Sequence, residues 1–309
     1  LYKYILKRLL FLLPMMIIVS FIAFYLIDAS SSSPGRIILE AQGVPEITQT
    51  LIEETNHKYG FDEPFVVRYF LWMKKAAQLD FGKSFVSNEN VSTLILTSFF
   101  YTLKLTIATA VTIILFSVSL SVVCVFLKNK FVDKIIRSGM FFLAATPPYL
   151  IGIILIWLFS VKFNSLPTSG VGDFSHYILP VLANTIGYAS FFFRMLRNSM
   201  LENIHENYVY FYRSSGVSEK KIIKHIIKNS LQTAVTAFSM AIPALIAGTA
   251  VIENIFAWPG IGRLCVAAIF NRDIPIIQAY VLLIGLFYCV FNILADIINA
   301  WINPKLREA

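Results

Sequence analysis

Charge is what this sequence has least of: 14% of its 309 residues are Asp, Glu, Lys or Arg, against about one-quarter in a typical soluble domain. With 57% hydrophobic residues and a mean hydropathy of +0.70, the chain has more apolar surface than one soluble core can hide. Lipid must be its solvent. Cysteine is nearly absent. Cys124, Cys265 and Cys289 share no close spacing, so they form neither a disulfide framework nor a metal knuckle and read as packing residues. The four histidines, His57, His176, His205 and His225, stand apart with no H-E-x-x-H or Cys-x-x-Cys beside them, and catalytic zinc is not expected. His57 and His176 read as solvated loop residues. A phosphate-binding loop is also missing. Ala77 to Ser84, AQLDFGKS, ends in Gly-Lys-Ser, but Ala77 stands where the leading glycine belongs and a helical pattern precedes it, so the segment reads as a helix end and turn. No basic patch is interleaved with stacking aromatics, so the net charge of +8 does not point to nucleic acid.

Long apolar runs are what the sequence does have. A span needs about twenty mostly apolar residues, because the hydrocarbon core is about 30 Å thick and a helix rises about 1.5 Å per residue. Six runs qualify, approximately Leu9 to Ile27, Leu105 to Leu127, Gly139 to Val161, Tyr177 to Phe193, Leu231 to Ile252 and Ala279 to Trp301. The expected fold class is therefore an all-α membrane protein with six transmembrane helices. The first run follows Lys3, Lys7 and Arg8 but exceeds the apolar core of a signal peptide, and is expected to remain as a span. Thr146-Pro147-Pro148 in the third run and Pro243 in the fifth remove backbone donors and should kink those helices. Pro180 lies near the start of the fourth and shortest run. Sixteen of the 26 Lys and Arg fall on one side if the N-terminus is inside, whereas the short loops opposite hold little more than Lys162, Arg263 and Arg272. The positive-inside rule then places both termini in the cytoplasm.

The expected organisation is residues 1–28 as the first transmembrane helix, 29–103 as a small helical extracytoplasmic insertion between helices 1 and 2, and 104–309 as a five-helix core. Within the insertion, Thr48 to Tyr59 reads as a helix closed by Gly60. Asp62 followed by Pro64 reads as the cap and first turn of another helix through Gln78.

The connection at about 198–230, on the expected cytoplasmic side, carries the clearest pattern. An amphipathic piece from Asn207 to Ser215 stops at Gly216, and a second helix restarts at Ser218-Glu219 with an N-cap and an acid at its positive end. That helix sets Ile222, Ile223, Ile226 and Ile227 on one face and Lys220, Lys221, Lys224 and Lys228 around the other. Two readings stand side by side: a handle for a cytoplasmic partner, or an interfacial helix lying on anionic lipid.

The segment Tyr208 to Leu231, YVYFYRSSGVSEKKIIKHIIKNSL, resembles the EAA-type loop of binding-protein-dependent ABC importers, in the form used by dipeptide, oligopeptide and nickel permeases. It keeps Tyr208, Val209, Arg213, Gly216, His225 and Asn229 of that pattern. It departs at Asn207, Tyr210, Tyr212, Ser214, Ser215 and Lys228. The likeness extends along nearly the whole chain. Lys3 to Leu26 resembles the family's first helix, Tyr59 to Pro64 its Leu-Gly-Leu-Asp-x-Pro, and Leu79 to Phe85 its Gly-Asp-Leu-Gly-x-Ser. Leu166 to Gly170 and Ile178 to Leu182 fit its third loop and fourth span. Val251 to Leu264 is similar to Glu-x-x-Phe-x-x-Pro-Gly-x-Gly, and Asn292 to Arg307 to the closing Asn-Leu-x-Val-Asp and Asp-Pro-Arg, with Asn303 and Lys305 as departures.

This resemblance implies the type I ABC importer permease fold in the cell membrane. Two such permeases, this chain and a homologous second one, would form one pathway that opens by alternating access. Two cytoplasmic ATPase subunits would bind ATP and Mg, an extracytoplasmic binding protein would deliver substrate, and this chain would be no enzyme and hold no cofactor. The resemblance implies an ATPase-coupling loop containing Tyr208, Val209, Phe211, Tyr212, Arg213, Ser215, Gly216, Val217, His225 and Asn229. Short peptides and chelates of nickel, cobalt or zinc are the substrate classes implied, and Glu40 to Asn56 resembles the metal-chelate branch.

Glu253 and Asp296 fall at or near span ends, where water makes a carboxylate inexpensive. Asn292 and Asp296, four apart on one helix face, are candidates for pairing with a neighbouring helix or lining a pathway, as is Glu253. An ion-gradient-driven secondary transporter would need mid-membrane charges or paired broken helices in two repeats. An intramembrane enzyme would need a nucleophile with its base, or a metal pair, deep in the spans. The residues offer neither.

Overall fold

The structure, a computed structural model, describes residues 2–30, 33–128 and 130–302; Asn303, Lys305 and Arg307 of the expected closing motif lie outside them. The described residues form thirteen α-helices and one π-helical segment. In order they are α1 Tyr2–Ser30, α2 Pro34–Ala41, α3 Gln49–Tyr59, α4 Phe65–Ala76, α5 Val91–Phe126, α6 Phe131–Ala145 and α7 Pro148–Leu155, which continues as the π-helix Ile156–Lys162. Then come α8 Ser175–Ile204, α9 Asn207–Ser214, α10 Glu219–Gly248, α11 Ala250–Ile255, α12 Ile261–Phe270 and α13 Ile274–Ile302.

Helices α5, α8 and α13 are each long and apolar enough to cross a membrane. Two further crossings are available if bent pairs count as one span each: α6 with Pro148–Lys162, bent by 107°, and Glu219–Ser239 with Ala241–Ile255, bent by 50°. In α1 the apolar stretch of described side chains is Pro14–Leu26.

The expected kink at Thr146-Pro147-Pro148 is a complete break. A residue before proline is barred from the helical region, and Thr146 is extended with ψ 125°. Pro147 then takes the N-cap position and Pro148 the first turn of α7, where a missing N–H costs nothing. The bend in α10 falls one turn before Pro243, whose ring crowds the carbonyl four residues back, that of Ser239.

The chain forms two compact units. One comprises Leu103–Trp258 with the chain from Phe291 onward. Its centre is α8, on which α6, α7 and α10 pack. Ser117 and Ser121 of α5 donate hydrogen bonds to the carbonyls of Ala189 (3.3 Å) and Phe193 (3.0 Å) of α8, the interhelical polar contact favoured where lipid offers no competing water. Gly152 of α7 lets that helix approach α11: a Cβ there would lie 3.3 Å from the ring of Phe256, itself 1% exposed.

The other unit comprises Tyr2–Thr102 with Pro259–Val290. Helix α3 matches its expected bounds. Thr48 accepts from the Leu51 N–H (3.3 Å), and Gly60 closes the helix at φ +72°. Helix α4 corrects the reading of Asp62 as its cap. The N-cap is Pro64 with no side-chain bond, because Pro64 already fixes the entering backbone and Asp62 is left two residues upstream in the turn. The Gly-Lys-Ser segment is a turn with a structural anchor. Ser84, buried, donates to Asp273 Oδ2, while the Phe85 N–H donates to Asp273 Oδ1 (3.1 Å). The same hydroxyl accepts from the amides of Val86 (3.2 Å) and Ser87 (2.9 Å).

Candidate functional site

Helix α8 ends at Ile204, and the chain turns through His205 and Glu206 into α9. At the end of α9 the Gly216 N–H donates to the Arg213 carbonyl (3.1 Å) and the Val217 N–H to the Tyr212 carbonyl (3.0 Å). With Gly216 at φ +74°, these two bonds make a Schellman turn, which needs a left-handed residue at that position. Helix α10 then begins at Glu219, with Ser218 at the N-cap position. Ser218 makes no side-chain cap bond, a departure from the expected cap. Glu219 pairs instead with Arg213 Nε at 3.0 Å across the turn. Both partners are about half exposed, so the pair contributes under about 1 kcal/mol.

The turn divides the predicted coupling residues into two groups. Val209, Ile222 and Ile226 are buried against Leu196 and Met200 of α8 and Val125 of α5, with Tyr208, Tyr212 and Val217 packed around them. Tyr208 donates to Asn203 Oδ1 (3.2 Å), and Asn203 Nδ2 donates to the Ser199 carbonyl (2.9 Å) and to Ser230 Oγ (3.3 Å). The His225 ring lies 5.2 Å from that of Tyr212, and Asn229 is half-buried on the following turn. Val209, Ile222 and Ile226 fasten this segment to α5 and α8, whereas His225 is exposed. Phe211 (65% exposed), Arg213, Ser215 and Gly216 point outward. Tyr210 joins them, an outward aromatic at a position where the chain departs from the importer motif. On the apolar face of α10, Ile222 and Ile226 are buried and Ile227 packs against the same cluster.

Helix α6 holds a cluster that the sequence pattern does not announce. Asp133 is fully buried, with Arg137 Nε at 3.2 Å and Arg197 Nη2 of α8 at 3.3 Å. Its only signal is a single acid among Lys128, Lys130, Lys134 and Arg137. Such an acid looks solvated until α8 brings Arg197 beside it.

The candidate pathway residues fall on α11 and α13. Glu253 is fully buried, which corrects its reading as a carboxylate close to water. It lies on α11, and its Oε1 accepts from Thr249 Oγ1 at 3.1 Å. Its carbonyl accepts from the Trp258 N–H (2.8 Å), in a turn where Ala257 adopts φ +48°. Asn292 and Asp296 lie one turn apart on α13, both half-buried. Of the two histidines expected in solvated loops, His57 is exposed on helix α3 and His176 Nδ1 lies 3.0 Å from Asp173 Oδ1. Hydrogen bonds from Ser175 and His176 hold the Asp173 carboxyl below its usual range.

Apolar helices of this length, joined in part by a short helix–Gly–helix segment, define a polytopic membrane protein. Known proteins give that class its family. Residues 113–308 match the binding-protein-dependent transport system inner membrane component, and residues 1–106 match the N-terminal membrane component of the same systems. The chain is 48% identical over 307 residues, 99% of both sequences, to the metal-staphylopine import system permease protein CntB of Staphylococcus aureus. It is 34% identical over 310 residues, again 99% of both, to the glutathione transport system permease protein GsiC of Escherichia coli. The crystal structure of an amino acid ABC transporter with histidines superposes with a TM-score of 0.55 at 14% identity, over 67% of this chain and 94% of that one, a likeness of fold. The chain belongs to the binding-protein-dependent transport system inner membrane component family, and is a permease subunit of an ABC importer.

Proposed function

We propose that this permease admits small metal chelates, carrying nickel, cobalt or zinc on an organic ligand, as one of two six-helix subunits around a shared pathway. The observation that carries the substrate class is the 48% identity, along 99% of the chain, to a metal-staphylopine permease. The 34% identity to a glutathione permease makes a short peptide the competing substrate. Two cytoplasmic ATPases would bind ATP and Mg and press on the handle at Gly216, and an extracytoplasmic binding protein would release substrate into the outward-open pathway. Glu253, Asn292 and Asp296 are the polar residues available to line or gate it. The burial of Val209, Ile222 and Ile226 supports the handle, since a lever has to be fixed to what it moves.

In cells lacking other nickel uptake, the importer should accumulate nickel only when a chelating ligand is supplied, and deletion of this permease should remove that uptake. Accumulation of labelled short peptides with no ligand-dependent nickel uptake would reverse the substrate assignment.

The proposed topology has six spans and both termini inside, with residues 1–28 as the first span, 29–103 outside and 104–309 as the core. The basic-residue asymmetry supports it. Single cysteines at the exposed positions Asn88 and Lys220 should react with a membrane-impermeant maleimide from outside only and from inside only, respectively. The opposite pattern at either site overturns the topology.

A further inference from the structure

Helix α4 belongs by sequence to the polar insertion, yet it is apolar on two opposite sides. Phe65, Tyr69, Trp72 and Ala76 form one side. The rings of Phe65, Tyr69 and Trp72 meet Phe21, Phe24 and Tyr25 of α1 at centroid distances of 5.2 to 5.9 Å. The other side is Val66, Val67, Phe70 and Leu71, between 42% and 65% exposed. Arg68, the only charge in the first nine residues of the helix, is turned away and held by Asp28 at 2.7 Å. Over its first nine residues the helix is thus apolar on both sides, as suits a core or lipid.

The depth of α4 is set by its contacts with α1. The Tyr69 hydroxyl lies 2.9 Å from Ser20 Oγ and donates to the Ile17 carbonyl at 3.2 Å. Asp28 and Arg68 mark the charged boundary at the C-terminal end of α1. Ser20 is eight residues before Asp28, about 12 Å inside that boundary at about 1.5 Å per residue. Tyr69 therefore reaches below the level at which the spanning segment becomes polar. The exposed side of α4 continues the exposed apolar surface of α1 formed by Ile17, Phe21 and Tyr25. Lys74 and Lys75 lie in the last turn of the helix, where long stems can reach back to headgroups. Helix α3 of the same insertion supplies the contrast, with Glu53, Glu54, His57 and Lys58 on its exposed side.

We propose that α4 is a membrane-embedded anchor whose Val66–Phe70 side lies in the leaflet at the C-terminal end of α1, the outer leaflet under the topology above, with acyl chains as its partner. The insertion is then pinned to the bilayer surface at a fixed height.

The test uses the importer reconstituted in nanodiscs with its partner subunits, the buried native cysteines replaced by alanine. An NBD fluorophore is attached at Phe70→Cys or, as the control, at Glu54→Cys on α3. At position 70, quenching by lipid carrying a nitroxide near the headgroup should exceed quenching by aqueous iodide severalfold, and at position 54 the order should reverse. Equal iodide quenching at both positions would overturn the anchor. So would shielding of position 70 from both quenchers, which would show a protein subunit on that side, or iodide access lost only when the binding protein is added, which would show receptor contact.

Discussion

Replacing Gly216 with valine should leave the permease inserted at normal levels while weakening ATPase association and transport together. Gly216 sits at φ +74° with nothing within 4 Å of where a Cβ would lie, so the cost is one of backbone conformation and not of clash. A β-branched residue in the left-handed region costs about 1–2 kcal/mol, a factor of about 5 to 30 in the population that keeps the turn. Opening the turn breaks the Schellman bonds to the Tyr212 and Arg213 carbonyls, and α9 with its outward Phe211 and Tyr210 is then misdirected. Asparagine tolerates this conformation best among the other residues, so Gly216→Asn should recover much of the activity. Co-purification of the ATPases and ligand-dependent uptake, measured at matched membrane levels, read both effects. Full transport by Gly216→Val with its ATPases still bound would remove the turn from the coupling route.

Replacing Asp133 with alanine should destabilise the fold itself. The carboxylate is fully buried and faces two guanidinium groups, of which Arg137 is 44% exposed and Arg197 only 13%. Arg137 can turn to water, but Arg197 is left with its charge enclosed. Breaking a buried pair from one side costs about 3–5 kcal/mol, so the thermal transition of the purified importer should fall well below wild type. Adding Arg197→Met to Asp133→Ala should recover part of the loss, since the stranded charge is then gone. A single variant as stable as wild type would show that the pair contributes nothing.

These two sites differ in how plainly the sequence announces them. The Gly216 turn is local: a helix pattern, a glycine and a new helix start lie within about ten residues, and backbone physics alone completes the picture. The Asp133 cluster joins residues 64 apart, and no local pattern reports that α8 will bring Arg197 to α6. The same division runs through the rest of the molecule. Apolar runs mark the membrane helices because lipid tolerates little else, and the adjacent prolines mark the break after Thr146. The 107° angle of that break depends on how α7 packs against α8 and α11, which the prolines do not encode. The burial of Glu253 is hidden because its neighbours in sequence suggest a span end. Likewise, the second apolar side of α4 becomes meaningful only once Tyr69 reaches Ile17.

The bent form of α10 has a mechanical consequence. Its first limb, Glu219–Ser239, follows the Gly216 turn, and the second, Ala241–Ile255, which runs on through α11, leaves at 50°. A straight rod turned about its own axis moves nothing at its far end, whereas a bent one is a crank. The second limb is about 22 Å long at about 1.5 Å per residue, which puts its tip about 17 Å off the axis of the first. A twist of about 10° of the first limb about its own axis would sweep the end that carries Glu253 sideways by about 3 Å, which under the proposed topology would turn rotation at the Gly216 end into lateral travel of Glu253.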